Sequence, residues 1–72
     1  MSGRKRSLTI ARHRTSISLE DEFWDGLQAI ATAEGRSVAD VVAEIDQARD
    51  RDASLSAAIR LHVLKRAKAG SA

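Results

Sequence analysis

The chain has no cysteine and no proline, one tryptophan, one phenylalanine and no tyrosine in 72 residues. Without cysteine there is no disulfide and no thiolate metal site, which fits a reducing compartment. The two histidines, His13 and His62, lie far apart and lack the ligand spacing of a zinc site. Long apolar runs are also missing. Nothing approaches the ~20 apolar residues that span a bilayer, and the basic start is not followed by the apolar core of a secretory signal. An Arg- and Ser-rich start without acids is also the composition of a transit peptide. The strand-like alternation at 14–19 argues against one, since transit peptides form amphipathic helices. Catalysis fails on inventory: there is no cysteine nucleophile, no convergent Ser/His/Asp set and no glycine-rich phosphate loop. We expect a cytoplasmic, non-enzymatic protein with no cofactor and no metal.

What is present is a foldable pattern. Apolar residues make up 43% of the chain, and their spacing is regular, unlike a disordered segment. A core of this size rarely supplies more than roughly 3–5 kcal/mol, so an oligomer is the expected reinforcement. The net charge is only +2, but it is unevenly spread. Residues 1–19 carry Arg4, Lys5, Arg6, Arg12 and Arg14 and no acid, whereas residues 20–50 carry nine acids against Arg36 and Arg49. A basic end on an acidic body points to a polyanion as partner.

Residues 14–19 alternate: Arg14, Ser16 and Ser18 on one face, Thr15, Ile17 and Leu19 on the other. That is the period of a strand with one buried face, and we place it at about 13–19. Leu8 and Ile10 have the wrong parity to continue it, so a break or bulge is expected near Ala11 to His13. Residues 1–7 read as a flexible basic arm. A lone strand must find a partner for its backbone groups. The economical solution is antiparallel pairing with its own copy, which makes a two-stranded ribbon.

Three helices follow, at about 20–34, 37–50 and 54–68, with a disordered tail at 69–72. Glu20, Asp21 and Glu22 suit the positive end of the first helix, and Ser18 with Asp21 can form a capping box. Phe23, Leu27, Ile30 and Ala31 form its apolar stripe, with Trp24 beside them, and Gly35 ends it. Ser37 caps the second helix, with Val38, Val41, Val42 and Ile45 as its stripe. The charged run 46–52 either continues that helix or turns after it. Ser54 caps the third, whose apolar residues spread around most of its circumference. Such a helix is buried on more than one side, which again implies a second chain. The sequence shows no internal repeat.

The stretch RTSISLEDEFWDGLQAIATAEGRSVADVVAEI resembles a ribbon-helix-helix domain of the MetJ/Arc class. The resemblance rests on the polar–apolar strand 14–19, the acidic helix start and GRSV at 35–38, and covers about residues 8–46. RTSISLE running into EFW is similar to a small bacterial subfamily with an extra C-terminal helix, here LSAAIRLHVLKRA. It implies a mostly α fold with one short N-terminal strand, assembled as an intertwined homodimer or higher homo-oligomer. Ile17, Leu19, Phe23, Trp24, Leu27, Val41, Val42 and Ile45 would form the dimer core. The implied partner is double-stranded DNA, and the implied role is transcription regulation, typically repression, in the nucleoid. Arg14, Ser16 and Ser18 would contact bases. Ser37 and Val38, helped by Arg36, would hold phosphate at a helix N-terminus. The basic residues Arg4, Lys5, Arg6 and Arg12 would add phosphate contacts.

The residues leave alternatives open. An antitoxin or protein-interaction module, a sensor of a small anionic ligand such as a cyclic dinucleotide, and a nonspecific nucleoid protein fit the same composition. Ser18 can act as a cap only, Trp24 suits core or dimer interface, and His13 suits a solvated turn or a phosphate contact. His62 reads as a structural interface residue.

Overall fold

The computed structural model describes residues 4–10 and 12–70. The remaining residues of the expected arm (1–3) and tail (71–72), and Ala11, lie outside the described residues. Among those described, two strands precede three helices: β1 (Arg4–Ile10), β2 (His13–Leu19), α1 (Asp21–Glu34), α2 (Val38–Ala48) and α3 (Leu55–Gly70).

β2 occupies the expected range, but its partner is in its own chain. β1 and β2 form an antiparallel hairpin in which Lys5 faces Ser18, Ser7 faces Ser16 and Thr9 faces Arg14. Residues 4–7, expected in a flexible arm, are therefore strand. The expected break takes the form of a chain reversal between Ile10 and His13, where Arg12 sits at φ 72°. A reversal of that length joins even-numbered residues of β1 to odd-numbered residues of β2 on one face. This is why Leu8 and Ile10 looked misplaced when read as a continuation of β2.

One face of the hairpin is apolar. Ile10, Ile17 and Leu19 are buried, with Leu8 packed against them. The other face exposes Lys5, Ser7, Thr9, Arg14, Ser16 and Ser18. α2 packs against β1, α3 against β2, and the three helices pack on one another. The shared core adds Leu27, Ile30, Ala31, Val41, Val42, Ile45, Ile59 and Val63.

Helix ends follow local chemistry. Gly35 ends α1 in the left-handed region at φ 67°. Arg36 N donates to Ala31 O at 2.9 Å and Gly35 N to Thr32 O at 3.1 Å, the paired bonds of a Schellman end. Ser37 Oγ accepts from Asp40 N at 3.0 Å and Ser54 Oγ from Ala57 N at 3.1 Å, so both expected caps form. The capping box at Ser18 does not. Glu20 holds the N-cap position of α1 without a side-chain cap bond, which leaves Ser18 on the outer face. The charged run divides: α2 ends at Ala48, and Arg49 closes the turn by donating to Asp46 Oδ1 at 2.7 Å and Ala53 O at 2.6 Å.

α1 and α3 approach closely at Gly26, where a Cβ would lie 2.7 Å from Val63 Cγ1. Of the expected dimer-core residues, Ile17, Leu19, Leu27, Val41, Val42 and Ile45 are buried within the single chain, while Phe23 and Trp24 are half-buried. α3 buries Ile59 and Val63 and leaves Leu61 and Leu64 exposed at 54% and 46%. Its apolar surface thus extends past the face that this chain covers.

Candidate nucleic-acid interface

The outer face of the hairpin is a two-stranded ribbon whose side chains are cations and hydroxyls. Adjacent strands lie about 4.8 Å apart, so the ribbon fits the roughly 12 Å major groove of B-DNA. Arg14 and Lys5 stand on opposite strands, four residue steps apart along the ribbon, or about 13 Å at strand rise. Ser7 and Ser16 face each other between them. Arginine and lysine can each donate twice to guanine O6 and N7, and hydroxyls donate or accept.

Electrostatics separate this face from the rest of the molecule. Lys5, Arg12 and Arg14 are exposed and have no acidic partner among the described residues, and no acid precedes Glu20. Elsewhere, Arg51, Lys65 and Lys68 are also exposed without an ion pair among the described residues, but five arginines are engaged. Arg6 donates to Asp21 Oδ1 at 2.9 Å. Arg49, Arg60 and Arg66 pair with Asp46, Glu20 and Glu34 at 2.7, 2.8 and 2.6 Å. Arg60 grips both carboxylate oxygens of Glu20, and this hydrogen bonding holds the Glu20 carboxyl below the ordinary glutamate range. Unopposed positive charge near the N-terminal half is thereby concentrated on the ribbon.

The start of α2 presents backbone N–H groups of Val38 and Ala39 that no helical carbonyl can reach, a geometry suited to an anion. Asp40 N is already taken by Ser37.

A model of the ribbon-helix-helix domain matches residues 3–67. The chain belongs to the ribbon-helix-helix family. The match takes in both strands and nearly all of α3, so the C-terminal helix is part of the domain rather than an appendage to it. Ribbon-helix-helix domains are as a family DNA-binding modules. No curated protein and no solved structure matches the chain.

In this ribbon-helix-helix domain the sequence-derived site residues fall into two groups. Arg14, Ser16, Ser18, Lys5 and Arg12 are brought together on the hairpin and exposed. Arg6 and Arg36 are drawn elsewhere. Arg6 lies on the inner side of β1, its guanidinium 4.4 Å from the centre of the Trp24 ring. Arg36 contacts Glu34 Oε1 at 3.3 Å, Glu44 Oε1 at 3.2 Å and Asp40 O at 3.0 Å. Both are half-buried, and in this structure their guanidinium groups bond to intramolecular acceptors. Arg4 begins β1 opposite Leu19; its side chain lies outside what is described. Ser37 and Val38 sit where expected at the start of α2.

Ser7 and Thr9 are outer-face residues that reading a single strand missed. The signal was available in Lys5, Ser7 and Thr9 alternating with Arg6, Leu8 and Ile10. Trp24 is covered by Arg6 rather than offered for base stacking. His13 is exposed beside Arg12, while His62 is half-buried with Nε2 unpartnered in the groove between α2 and α3. Among the described residues no group of His, Cys, Asp or Glu is placed to hold a metal, and no helix is long and apolar enough to cross a membrane.

Proposed function

We propose that this domain is a sequence-specific DNA-binding transcriptional regulator whose hairpin ribbon enters the major groove. The observation that carries the reading is the outer face itself. Six exposed side chains, two cations and four hydroxyls, stand on a ribbon of groove width with no acid among them. Arg14 reads guanine, Ser16 and Ser18 adjust to either kind of base, and Arg12 at the turn meets phosphate. The free N–H groups at the start of α2 hold a flanking phosphate. Arg36 offsets Glu34 and Glu44 beside that helix end and so limits their repulsion of an anion.

The working unit in this reading is a homodimer, as is typical of the family, and two-fold symmetry then favours an inverted-repeat operator. The exposed Leu61 and Leu64 supply apolar surface for such an assembly. Selection from random DNA duplexes, followed by affinity measurement across salt concentrations, tests the reading. We expect a recovered motif and an affinity that falls with salt, by a slope of about 0.9 per neutralised phosphate. A flat salt response refutes it.

A further inference from the structure

The outer row of β2 runs Arg14, Ser16, Ser18, and the next residue of that parity is Glu20. Its backbone is still extended, at φ −62° and ψ 150°. Glu20 therefore follows Ser18 by two residues, or about 7 Å of strand. That is less than the screening length of about 10 Å at 0.1 M salt. A bare carboxylate at this point would act directly on a polyanion laid along the ribbon.

Arg60 covers the carboxylate by donating to both of its oxygens, from Nε to Oε1 at 2.8 Å and from Nη2 to Oε2 at 3.2 Å. The hydrogen bond from Arg60 also holds the carboxyl below the ordinary glutamate range. Glu20 is thus ionised at neutral pH, and only a counter-charge can offset it. Arg60 belongs to α3, 40 residues further along the chain. Asp21, the next acid, is answered in the same way by Arg6 of β1.

We infer that α3 serves DNA binding without touching DNA: Arg60 is a positioning residue that holds and masks the carboxylate of Glu20 at the foot of the ribbon. The inference rests on the DNA-binding reading above and gives the C-terminal helix a part in it. It accounts for an acid in a row that otherwise holds a cation and hydroxyls. It also accounts for the form of the contact, since a two-pronged arginine grip fixes both oxygens of a carboxylate in one geometry. Both oxygens of Glu20 are thereby kept on α3 and away from an approaching phosphate.

Affinity for a mixed-sequence duplex, measured by fluorescence anisotropy at about 0.01 M salt, where the screening length is about 30 Å, tests the inference. Urea denaturation checks that each variant is folded under those conditions. Arg60→Ala should weaken binding roughly 2- to 15-fold, the effect of one unit charge about 10 Å from another at effective dielectric constants of about 80 to 20. Adding Glu20→Gln should restore wild-type affinity, because no charge is left to mask, although alanine at position 60 cannot rebuild the link. Arg60→Lys keeps the charge without the two-pronged grip and should bind nearly as wild type does; it also carries the test if Arg60→Ala fails to fold. Lys68→Gln removes the same charge from an exposed residue of α3 that has no ion pair among the described residues, and should cost less than Arg60→Ala. A double variant as weak as Arg60→Ala would show a structural tether and overturn the inference. A loss no larger than that of Lys68→Gln would mark a general charge effect and overturn it too, as would Arg60→Lys binding as weakly as Arg60→Ala. Wild-type protein that binds no duplex overturns the DNA reading itself, and the inference with it.

Discussion

Arg6 lies with its guanidinium 4.4 Å from the centre of the Trp24 ring and donates to Asp21 at 2.9 Å. These contacts tie β1 to the first turn of α1 and fasten the ribbon to the helices. A partly exposed cation–π contact contributes about 0.5–1 kcal/mol, and a surface ion pair adds little more. Arg6→Ala should lower stability by about 1 kcal/mol in urea denaturation and leave the salt slope of DNA binding unchanged. Lys5→Ala, one residue away on the opposite face, should do the reverse, with little change in stability and a shallower slope.

Arg36 offers a matching contrast at the start of α2. Its donors are occupied by Glu34, Glu44 and Asp40 O, so Arg36→Ala should alter DNA affinity far less than Arg14→Ala. Comparable losses for the two variants in a fluorescence-anisotropy titration would mean that Arg36 leaves its acids to meet phosphate.

Gly26 marks a close approach of α1 to α3. An added Cβ would sit 2.7 Å from Val63 Cγ1, and Val63 is a stiff, buried side chain. The ordinary helix gain from Gly to Ala, about 1 kcal/mol, should be outweighed by overpacking of about 1–3 kcal/mol. Gly26→Ala is therefore expected to lower the thermal midpoint. Adding Val63→Ala removes the clash, so the double variant should show a loss smaller than the sum of the two single losses.

Glu20 links the exit of β2 to α3 through Arg60. Its pKa is lowered in the folded protein, chiefly by the hydrogen bond from Arg60. The folded state therefore binds a proton at Glu20 less readily than the unfolded chain. The resulting stabilisation is present above the ordinary glutamate value of about 4.3 and is lost as pH falls through the lower folded value. Glu20→Gln should lower stability by a constant amount at neutral and alkaline pH and flatten part of the acid limb of a stability-against-pH curve.

Much of the fold was legible because its signals are local. The alternation of Thr15, Ile17 and Leu19 located β2, Gly35 located the end of α1, and Ser37 and Ser54 located two helix starts. β1 was hidden because the short reversal at Arg12 inverts parity, and because Arg6 places a cation on the inner face. That placement makes sense only beside Trp24 and Asp21, which the chain brings near by folding. The site divides in the same way. Arg14, Ser16 and Ser18 follow from alternation alone. The diversion of Arg6 and Arg36 depends on acids that belong to other elements, and Ser7 and Thr9 gain their meaning from pairing with Ser16 and Arg14. The second chain inferred from a lone strand is not needed for strand pairing, although the exposed Leu61 and Leu64 keep that expectation alive for α3.

The central claim is that the outer face of the hairpin is the surface that meets DNA. Amide chemical-shift mapping during titration with a selected duplex tests it residue by residue. The account predicts that the largest shifts fall on Lys5, Ser7, Thr9, Arg12, Arg14, Ser16 and Ser18, with a second group at Val38 and Ala39. Shifts concentrated on α3 around Leu61 and Leu64, with the hairpin silent, would contradict it.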